Sequence, residues 1–284
     1  QFSMNYRLIA LDLDGTLLDD TLQIRRQTID ALQDARDRGV QAMIVTGRHH
    51  TAAHAYWRQL DLELPAICCN GGYVYDFPAG KALAGDPFTR LEARQLLDII
   101  RAHPIDAMIY TDEAMTYEKD APHLAGMRRW SATLPEPLRP RLERAASLDR
   151  VIDEAAILWK FLVASEIPAP LEAFMQAASA RGFDCVRSSR NRVDIAHPGN
   201  SKGRRLAEFI AQRNILPREV IAFGDQDNDK EMLQLAGLGV AMGNSRPEVR
   251  ACADWVTGAN DSDGIAEVLR RFVLHHQSPQ VPSL

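Results

Sequence analysis

Three short apolar segments of this chain each lead directly into a polar cluster and then into a helical pattern. They are LIAL before DLDGT, VQAMIV before TGR, and VIAF before GDQDND. Apolar runs of this length, alternating with amphipathic helical periods, are typical of parallel strands that are buried on both faces. The pattern therefore predicts an α/β fold with a Rossmann-like parallel sheet. In such sheets, ligands bind at the carboxyl ends of the strands.

The pattern changes in the middle of the chain. Prolines and arginines cluster there, and helical and strand-like segments no longer alternate regularly. The alternation resumes near residue 190. We therefore predict a catalytic core formed by residues 1–84 and 190–284, with an inserted α+β cap domain over 85–189.

Local periodicity and turn residues also predict individual elements. The predicted helices are one that ends before Gly39 and those at 49–60, 89–102, 121–131, 168–181, 201–213, 226–235, 246–251 and 262–274. The predicted strands are 7–12, 40–45, 65–69, a hairpin after 72, 106–111, 115–118, 157–164, 183–187, 192–196, 220–223, 238–242 and 254–257.

The composition is that of an ordinary globular protein and argues against several classes. The 284 residues carry a formal net charge of −5 and no basic run, so no nucleic-acid partner is expected. No apolar stretch approaches the ~18 residues of a membrane span. Four cysteines without CxxC spacing argue against a zinc or redox site and favour a reducing, cytoplasmic location. Nothing in the sequence predicts an oligomeric state.

The two ends of the sequence carry no functional motif. The opening QFSMNYR lacks the pattern of a signal peptide, and we expect Met4 to be the natural first residue. The closing HHQSPQVPSL is polar and contains prolines, so we expect it to fray.

Acidic residues gather at the predicted strand ends. Asp12 and Asp14 are two residues apart and would share one face of an extended chain, while Asp225 and Asp229 follow the VIAF strand. Up to four negative charges at one sheet edge are unfavourable without a cation. Oxygen ligands without histidine or cysteine suit a hard ion, so Mg²⁺ is the predicted cofactor.

The same edge carries groups that bind oxyanions. Thr46 and Gly47 follow the second strand, and Lys202 opens a predicted helix within GNSKG. Carboxylates, magnesium, a lysine and an oxyanion cradle together describe a phosphate site. Asp12 is the candidate nucleophile. Asp14 is the candidate to protonate the leaving oxygen and then to activate water, with a pKa raised by the neighbouring carboxylates.

Each of these signals also has an ordinary structural explanation. A DxD pair can be a solvated turn, a Thr-Gly pair can begin a helix, and acids can cap one. The occurrence of all these motifs in one chain favours a catalytic site over these structural explanations. Three further residues follow predicted strands near the same sheet edge, and their roles stay open: His49 and His50 after the second strand, and Asn70 after the third.

In this order, DLDGT, TGR, a lysine that opens a helix and GDxxND resemble the four motifs of the haloacid dehalogenase superfamily. The insertion resembles the large cap of its Cof-type branch. The segments IVTGRHH, PAICCNG, WKF, GNSKG and VAMGN resemble bacterial pyridoxal phosphate phosphatases. The resemblance spans roughly Tyr6 to Leu274. It implies a magnesium-dependent phosphoric monoester hydrolase that acts on a small phosphorylated metabolite.

The resemblance also implies a role for each motif residue. Asp12 would be the nucleophile and a Mg²⁺ ligand, Asp14 would be the acid and base with its main-chain carbonyl on the metal, and Asp225 would be the third protein ligand. The implied phosphate contacts are the Leu13 backbone, Thr46, Gly47, Lys202 and Asn228. Asp229 and Arg48 would support these residues without touching the phosphate.

Several functions remain open at this point. The leading prediction is hydrolysis of pyridoxal 5′-phosphate through an aspartyl phosphate, with sugar phosphates or flavin mononucleotide as alternative substrates. A non-catalytic binder of phosphorylated metabolites and a sugar-phosphate mutase are the competing classes. The cap would choose the substrate, but none of its residues carries a transferable motif.

Overall fold

The computed structural model describes residues 5–274. The predictions for Met4, for the closing segment and for the outermost parts of the predicted core lie outside the described residues. The strands are β1 (Leu8–Leu11), β2 (Gln41–Ile44), β3 (Ala66–Cys68), β4 (Tyr73–Asp76), β5 (Lys81–Gly85), β6 (Asp106–Thr111), β7 (Met115–Tyr117), β8 (Leu142–Arg144), β9 (Leu158–Ala164), β10 (Asp184–Ser189), β11 (Arg192–Ala196), β12 (Val220–Gly224), β13 (Leu238–Ala241) and β14 (Trp255–Val256). The α-helices are α1 (Arg26–Asp37), α2 (His50–Gln59), α3 (Arg90–Arg101), α4 (Leu124–Ala132), α5 (Leu148–Glu154), α6 (Pro168–Ala180), α7 (Lys202–Gln212), α8 (Lys230–Leu235), α9 (Pro247–Arg250) and α10 (Gly264–Leu269).

A five-stranded sheet with the order β14-β13-β12-β1-β2 forms the first layer of the fold, and all its strand pairs are parallel. Leu11 at the end of β1 pairs with Phe223 on one side and with Ile44 on the other. The chain therefore leaves β12, β1 and β2 at the same edge of the sheet. This is the edge at which the sequence places its polar clusters.

The central strand β1 is apolar on both faces because helices cover both sides of this sheet. Leu8 and Ala10 belong to one apolar cluster, and Ile9 and Leu11 belong to the other. All four residues are completely buried. Full burial of a large aliphatic side chain contributes about 1.5–3 kcal/mol. The end of β1 is thus held by packing on two sides.

A small antiparallel sheet, β3-β4-β5, lies beside β2. It contains the predicted third strand and the predicted hairpin. A single parallel bridge between Val45 and Ile67 joins it to the edge of the main sheet. The segment after β3 therefore reaches the same region as the ends of β1 and β2.

The second large sheet has the order β10-β11-β9-β6-β7-β8 and is antiparallel except for the β7–β8 pair. One face packs under α3, α5 and α6 in a separate apolar cluster. The opposite face contributes Tyr110 and Leu162 to a cluster that also contains Tyr56 and Tyr73. This sheet therefore lies with its uncovered face against the edge where β1, β2 and β12 end.

The predicted fold class, a Rossmann-like parallel sheet with an α+β cap, is confirmed. The cap sheet extends past the predicted end of the insertion at residue 189, because Arg192–Ala196 pairs with β9 and β10. Hydrogen bonding to two cap strands, and not the return of the α/β pattern, decides where this segment belongs. The division into domains itself stays a prediction.

The sequence missed β8 and α5, which are short or largely exposed and carry little periodic signal. Two predicted helices are shorter than expected. The 226–235 segment begins with a 3₁₀ turn before α8, and the last helix changes to π-type turns after Leu269. Between residues 5 and 274, no helix combines the length and apolar character needed to cross a membrane.

Candidate active site

Three carboxylates meet where two neighbouring strands end. Asp12 follows β1, while Asp225 and Asp229 follow β12, and oxygens of the three side chains lie within 4.8 Å of one another. All three residues are buried. The parallel pairing of β1 and β12 brings together residues that are more than two hundred positions apart in the chain.

Lys202 bridges this cluster from the start of α7. Its Nζ donates to Asp12 Oδ1 and to Asp229 Oδ1, each at 2.7 Å. Ser201 caps the helix by accepting the N–H of Arg204, and this fixes where the lysine emerges. Burial tends to lower the pKa of Lys202, but the two carboxylates outweigh it and raise the pKa above its ordinary value. The lysine is therefore a permanent cation in the cluster.

One ammonium does not neutralise three buried carboxylates. Burial, followed by the charge of Asp229, raises the pKa of Asp12 well above its ordinary value. Burial and Asp229 also raise the pKa of Asp225 to about 6. A site that holds excess negative charge on oxygen ligands alone fits a hard divalent cation. The residues present therefore suit Mg²⁺.

Thr16 and Gly15, in the loop after β1, lie directly against the carboxylates of this cluster. The Thr16 hydroxyl lies 2.9 Å from Asp225 Oδ1 and 3.2 Å from Asp12 Oδ2, so it can donate to either. Gly15 has a φ of +75°, and a Cβ at this position would lie 2.1 Å from Asp225 Oδ2. Only glycine combines this backbone conformation with such a close approach.

Asp229 uses its oxygens within the protein. In addition to Lys202, it accepts the backbone N–H of Asp225 at 2.9 Å and that of Gln226 at 3.1 Å. These bonds hold the loop after β12 and orient the lysine. The contacts agree with the supporting role that the resemblance implies, and that role stays a prediction.

Asp14 differs from the other acids, because its partner is Arg48. The guanidinium donates to both carboxylate oxygens at 2.7 Å, and the Asp14 side chain is half exposed. Desolvation opposes ionisation, but the charge of Arg48 and its hydrogen bonds prevail and lower the pKa of Asp14. The expected rise in this pKa is therefore wrong. Strand β1 ends at Leu11 and the chain turns, so the crowding at Asp12 does not extend to Asp14.

Arg48 also connects the two parts of the molecule. Its guanidinium lies 4.7 Å from the ring centroid of Trp130 in α4 and 5.5 Å from that of Tyr56 in α2. The two rings stack on each other with centroids 5.3 Å apart. Arg48 is thus a packed cation as well as the partner of Asp14.

A cavity of about 240 Å³ lies between the core and the cap, and two of the predicted phosphate contacts, Gly47 and Asn228, line it. The other three, Leu13, Thr46 and Lys202, are buried and are not among the described residues that line it; Thr46 accepts the N–H of Arg48 at 3.0 Å. The core residues that line the cavity are Asp12, Asp14, Gly47, Arg48, Gln226 and Asn228. The cap residues are Tyr110, Met127, Lys160, Leu162, Ser188, Ser189, Arg192 and Asp194.

The sequence analysis missed every cap residue of this cavity. Lys160 and Asp194 carried a usable signal, because each is a charged residue with apolar residues on both sides within a strand. Charged residues are seldom buried unless they are paired. Two such strands therefore suggest an ion pair, and the structure shows it, with Nζ 3.3 Å from Asp194 Oδ2.

The three residues whose roles stayed open make contacts within the protein. His49 is completely buried, and its Nε2 lies 2.7 Å from the carbonyl oxygen of Thr111 in the cap. His50 Nδ1 is hydrogen bonded to the Tyr73 hydroxyl. Asn70 is buried between the cap and the loop after β12. Neither histidine lines the cavity among the described residues.

Comparison with known proteins places this arrangement in a family. The model of the haloacid dehalogenase-like hydrolases matches residues 9–269, and the chain belongs to this family. Among individual proteins, it is 41% identical over 267 residues to the pyridoxal phosphate phosphatase YbhA of Escherichia coli K12, covering 94% of this chain and 98% of that protein.

Two further relatives extend the comparison. The chain is 31% identical to the 5-amino-6-(5-phospho-D-ribitylamino)uracil phosphatase YitU of Bacillus subtilis, covering 93% of this chain and 97% of that one. Its fold matches the solved structure of a haloacid dehalogenase-like hydrolase from B. subtilis with a TM-score of 0.83 at 27% identity, over 94% and 100% of the two chains. The predicted family and the predicted enzyme class, a phosphatase of this family, are confirmed.

Proposed function

We propose that this enzyme is a Mg²⁺-dependent phosphatase that hydrolyses a small phosphorylated metabolite through an aspartyl phosphate on Asp12. The observation that carries the proposal is the buried cluster of Asp12, Asp225 and Lys202, in which Asp12 lines the cavity between core and cap. The cluster brings together a carboxylate, a fixed cation and an acid that would hold a divalent cation. Phosphoryl transfer needs these groups together.

In the first half of the reaction, a carboxylate oxygen of Asp12 attacks phosphorus and the ester P–O bond breaks. The leaving oxygen takes a proton from Asp14. Lys202, which is hydrogen bonded to Asp12, would offset the negative charge of the phosphoryl oxygens, and Gly47 and Asn228 line the cavity. Their preset positions reduce the cost of ordering the reactants.

In the second half, Asp14 takes a proton from water, the hydroxide attacks phosphorus, and the bond to Asp12 breaks to release phosphate. The pair with Arg48 favours the ionised form of Asp14, which suits this step. The first half requires a proton on Asp14 and therefore requires this ion pair to open. A half-exposed carboxylate at the cavity can make this change.

Asp12, Asp225 and the main-chain carbonyl of Asp14 would hold the Mg²⁺ ion. When bound, the ion would neutralise the charge on the phosphoryl oxygens and on the carboxylates. Asp229 would keep Lys202 and the loop after β12 in place around it. The support for this assignment is the excess negative charge described above.

Pyridoxal 5′-phosphate is the proposed substrate. The relative with 41% identity is named for this activity and is aligned over nearly the whole chain. The cavity of about 240 Å³ is smaller than the 300–1,000 Å³ typical of drug-sized ligands, which favours a small leaving group. A sugar phosphate is the alternative of similar size, and flavin mononucleotide is the less favoured alternative because it is larger.

The test is a panel of phosphorylated metabolites assayed for phosphate release, with catalytic efficiencies compared. We expect pyridoxal 5′-phosphate to give the highest kcat/KM, with turnover that requires Mg²⁺. Replacement Asp12→Asn should abolish turnover of every substrate. If this variant retained full activity, the covalent mechanism would be refuted.

A non-catalytic binder of phosphorylated metabolites is the competing class, because a metal-binding acidic pocket with a lysine also occurs in phosphate-accepting domains. Asp14 distinguishes the two, since a binder has no need of a second carboxylate at the cavity. The discriminating measurement is hydrolysis of p-nitrophenyl phosphate with and without Mg²⁺. Metal-dependent release of phosphate supports the enzyme, and its absence supports the binder.

The proposed setting of the enzyme is the cytoplasm. The four cysteines are free, and two of them, Cys68 and Cys69, are buried as small apolar side chains. This cysteine usage suits a reducing compartment. A small phosphorylated metabolite is the proposed partner, and the expected absence of nucleic-acid and membrane partners stays a prediction.

A further inference from the structure

A buried ion pair connects the cap to the loop that follows β2. Lys160 and Asp194 lie on the neighbouring strands β9 and β11, and each side chain is only 3% exposed. Such a pair stabilises a fold poorly, because the cost of removing both charges from water offsets most of their attraction. Its other contacts therefore matter for understanding what it does.

Lys160 holds the backbone of the loop after β2, called here the phosphate loop because it contains the proposed phosphate contacts Thr46 and Gly47. Its Nζ donates to the carbonyl oxygen of Gly47 at 2.7 Å and lies 4.4 Å from the ring centroid of Tyr110. Burial opposes the charge, but Asp194 and Tyr110 outweigh it and raise the pKa of Lys160. A permanent cation of the cap therefore fixes the direction of the peptide after Gly47.

Asp194 extends the contact to the loop after β12. Its Oδ2 accepts from Asn70 Nδ2 at 2.8 Å, and Asn70 Oδ1 in turn accepts from Asn228 Nδ2 at 3.0 Å. Asp194 and Asn70 are both buried. One continuous chain of hydrogen bonds thus runs from the cap to Asn228.

The network also packs tightly against the phosphate loop. A Cβ at Gly47 would lie 2.8 Å from Asn70 Oδ1 and 3.4 Å from Asp194 Oδ2. The loop therefore has little room to shift while the network is in place. Both ends of the network terminate on proposed phosphate contacts, Gly47 at one end and Asn228 at the other.

We infer that Lys160, Asp194 and Asn70 form a positioning network that sets Gly47 and Asn228 for phosphate when the cap is seated on the core. The inference rests on the proposed function, because it assigns these two residues to the phosphate. It makes formation of the phosphate site depend on cap closure, so water-free chemistry and phosphate binding arise together.

The competing explanation is that Lys160 and Asp194 read the leaving group, since both line the cavity. The two explanations differ in what they predict. A positioning network acts on the phosphate, so its loss should weaken every substrate by a similar factor. A residue that reads the leaving group should affect some substrates and spare others.

The test uses the double variant Lys160→Met/Asp194→Asn, which removes both charges and leaves no unpaired buried ion. The control is Arg94→Gln, which breaks an exposed ion pair with Asp153 elsewhere in the cap. Kinetics are measured with p-nitrophenyl phosphate and with pyridoxal 5′-phosphate. Inhibition by inorganic phosphate and its affinity by calorimetry in Mg²⁺ are measured alongside.

We expect the kcat/KM of the double variant to fall about 10- to 100-fold, because replacing the hydrogen-bond partner of a binding group typically costs this much. The factor should be similar for both substrates. The affinity for inorganic phosphate should fall as well, and the control should keep wild-type constants. Unchanged phosphate affinity, or a loss seen with one substrate but not with the other, would overturn the inference.

A second variant guards against a double variant that fails to fold. Asn70→Gly cuts the network while it retains the positive φ of 56° at this position. The same substrate-independent loss is expected. If the wild type bound phosphate but hydrolysed nothing, the proposed function would fail, while the phosphate affinity of the variants would still decide the inference.

Discussion

Asp12 and Asp14 are separated by one residue, yet their side chains meet different partners. Asp12 contacts Lys202 in a crowded acidic cluster, and Asp14 contacts Arg48 beside the cap. Their pKa values consequently move in opposite directions, upward for Asp12 and downward for Asp14. In the proposed mechanism, environment and not spacing would separate the roles of the two carboxylates.

Gly15 offers a test of the acidic cluster at the level of one atom. In Gly15→Ala, the added Cβ would lie 2.1 Å from Asp225 Oδ2 and must displace that carboxylate. We expect at least a tenfold loss of kcat and a weaker affinity for Mg²⁺, because displacement of a reacting or ligating group by about 1 Å can cost about 10²-fold. Steady-state kinetics over a Mg²⁺ titration measure both effects.

Gly80→Ala is the matched control. Gly80 also has a positive φ, +66°, but no atom lies within 4 Å of the Cβ it would gain. This variant should lose about 1 kcal/mol of stability from backbone strain and keep its activity. If Gly15→Ala behaved like the control, the close approach to Asp225 would have no functional importance.

At the scale of elements, the sequence predicts what depends on local pattern. Four elements are predictable because an apolar or amphipathic segment adjoins a polar cluster in each: β1, β2, β12 and the start of α7. In a parallel sheet, the carboxyl ends of neighbouring strands lie at the same edge, so these polar clusters meet. The general placement of Asp12, Asp225 and Lys202 therefore follows from the amino-acid sequence alone.

Contacts between elements could not be predicted in the same way. The pairing of Asp14 with Arg48 depends on how the chain turns after Leu11. The hydrophobic periodicity of the sequence does not specify this turn. The contact of Lys160 with Gly47 depends on how the cap sits on the core. Such contacts between residues far apart in sequence are set by tertiary packing, and one sequence does not specify them.

His49 allows the contact between α2 and the cap to be tested by pH. Its Nε2 must carry the proton that it donates to the Thr111 carbonyl, and burial lowers the pKa of His49 to about 4. Unfolded histidine titrates near 6.5, so the unfolded state gains a proton first as the pH falls. The contribution of His49 to the free energy of unfolding is therefore complete above about pH 6.5 and is lost as the pH falls toward 4. This residue alone accounts for about 2 kcal/mol between pH 7 and 5.

The measurement is urea unfolding of the wild type and of His49→Gln at pH 7 and pH 5. Glutamine can keep a donor near Thr111 and does not titrate, so the variant should lose about 2 kcal/mol less on acidification. His103→Gln removes a histidine far from this contact and serves as the control. Equal losses in the wild type and in His49→Gln would contradict this account of the contact.

At the scale of the whole molecule, the acidic cluster draws residues from both halves of the core into one site. Mg²⁺ should therefore stabilise the folded chain, by about 2.7 kcal/mol at a hundredfold excess over its dissociation constant. Asp225→Asn should abolish most of this gain, while Asp227→Asn, whose carboxylate pairs with Arg246 outside the cluster, should keep it. Thermal unfolding with and without Mg²⁺ provides the comparison, and an equal gain in both variants would place the ion elsewhere.

The most direct test of the central claim is to trap the phosphoryl group on the protein. Asp14→Asn cannot activate water, but p-nitrophenolate leaves without a proton, so Asp12 should still be phosphorylated. After this variant reacts with p-nitrophenyl phosphate and Mg²⁺, intact-mass and peptide spectrometry should find one added phosphoryl group on Asp12. The same treatment of Asp12→Asn/Asp14→Asn should add none. A phosphoryl group on another residue, or substrate turnover by Asp14→Asn with no phosphoprotein formed, would contradict the mechanism.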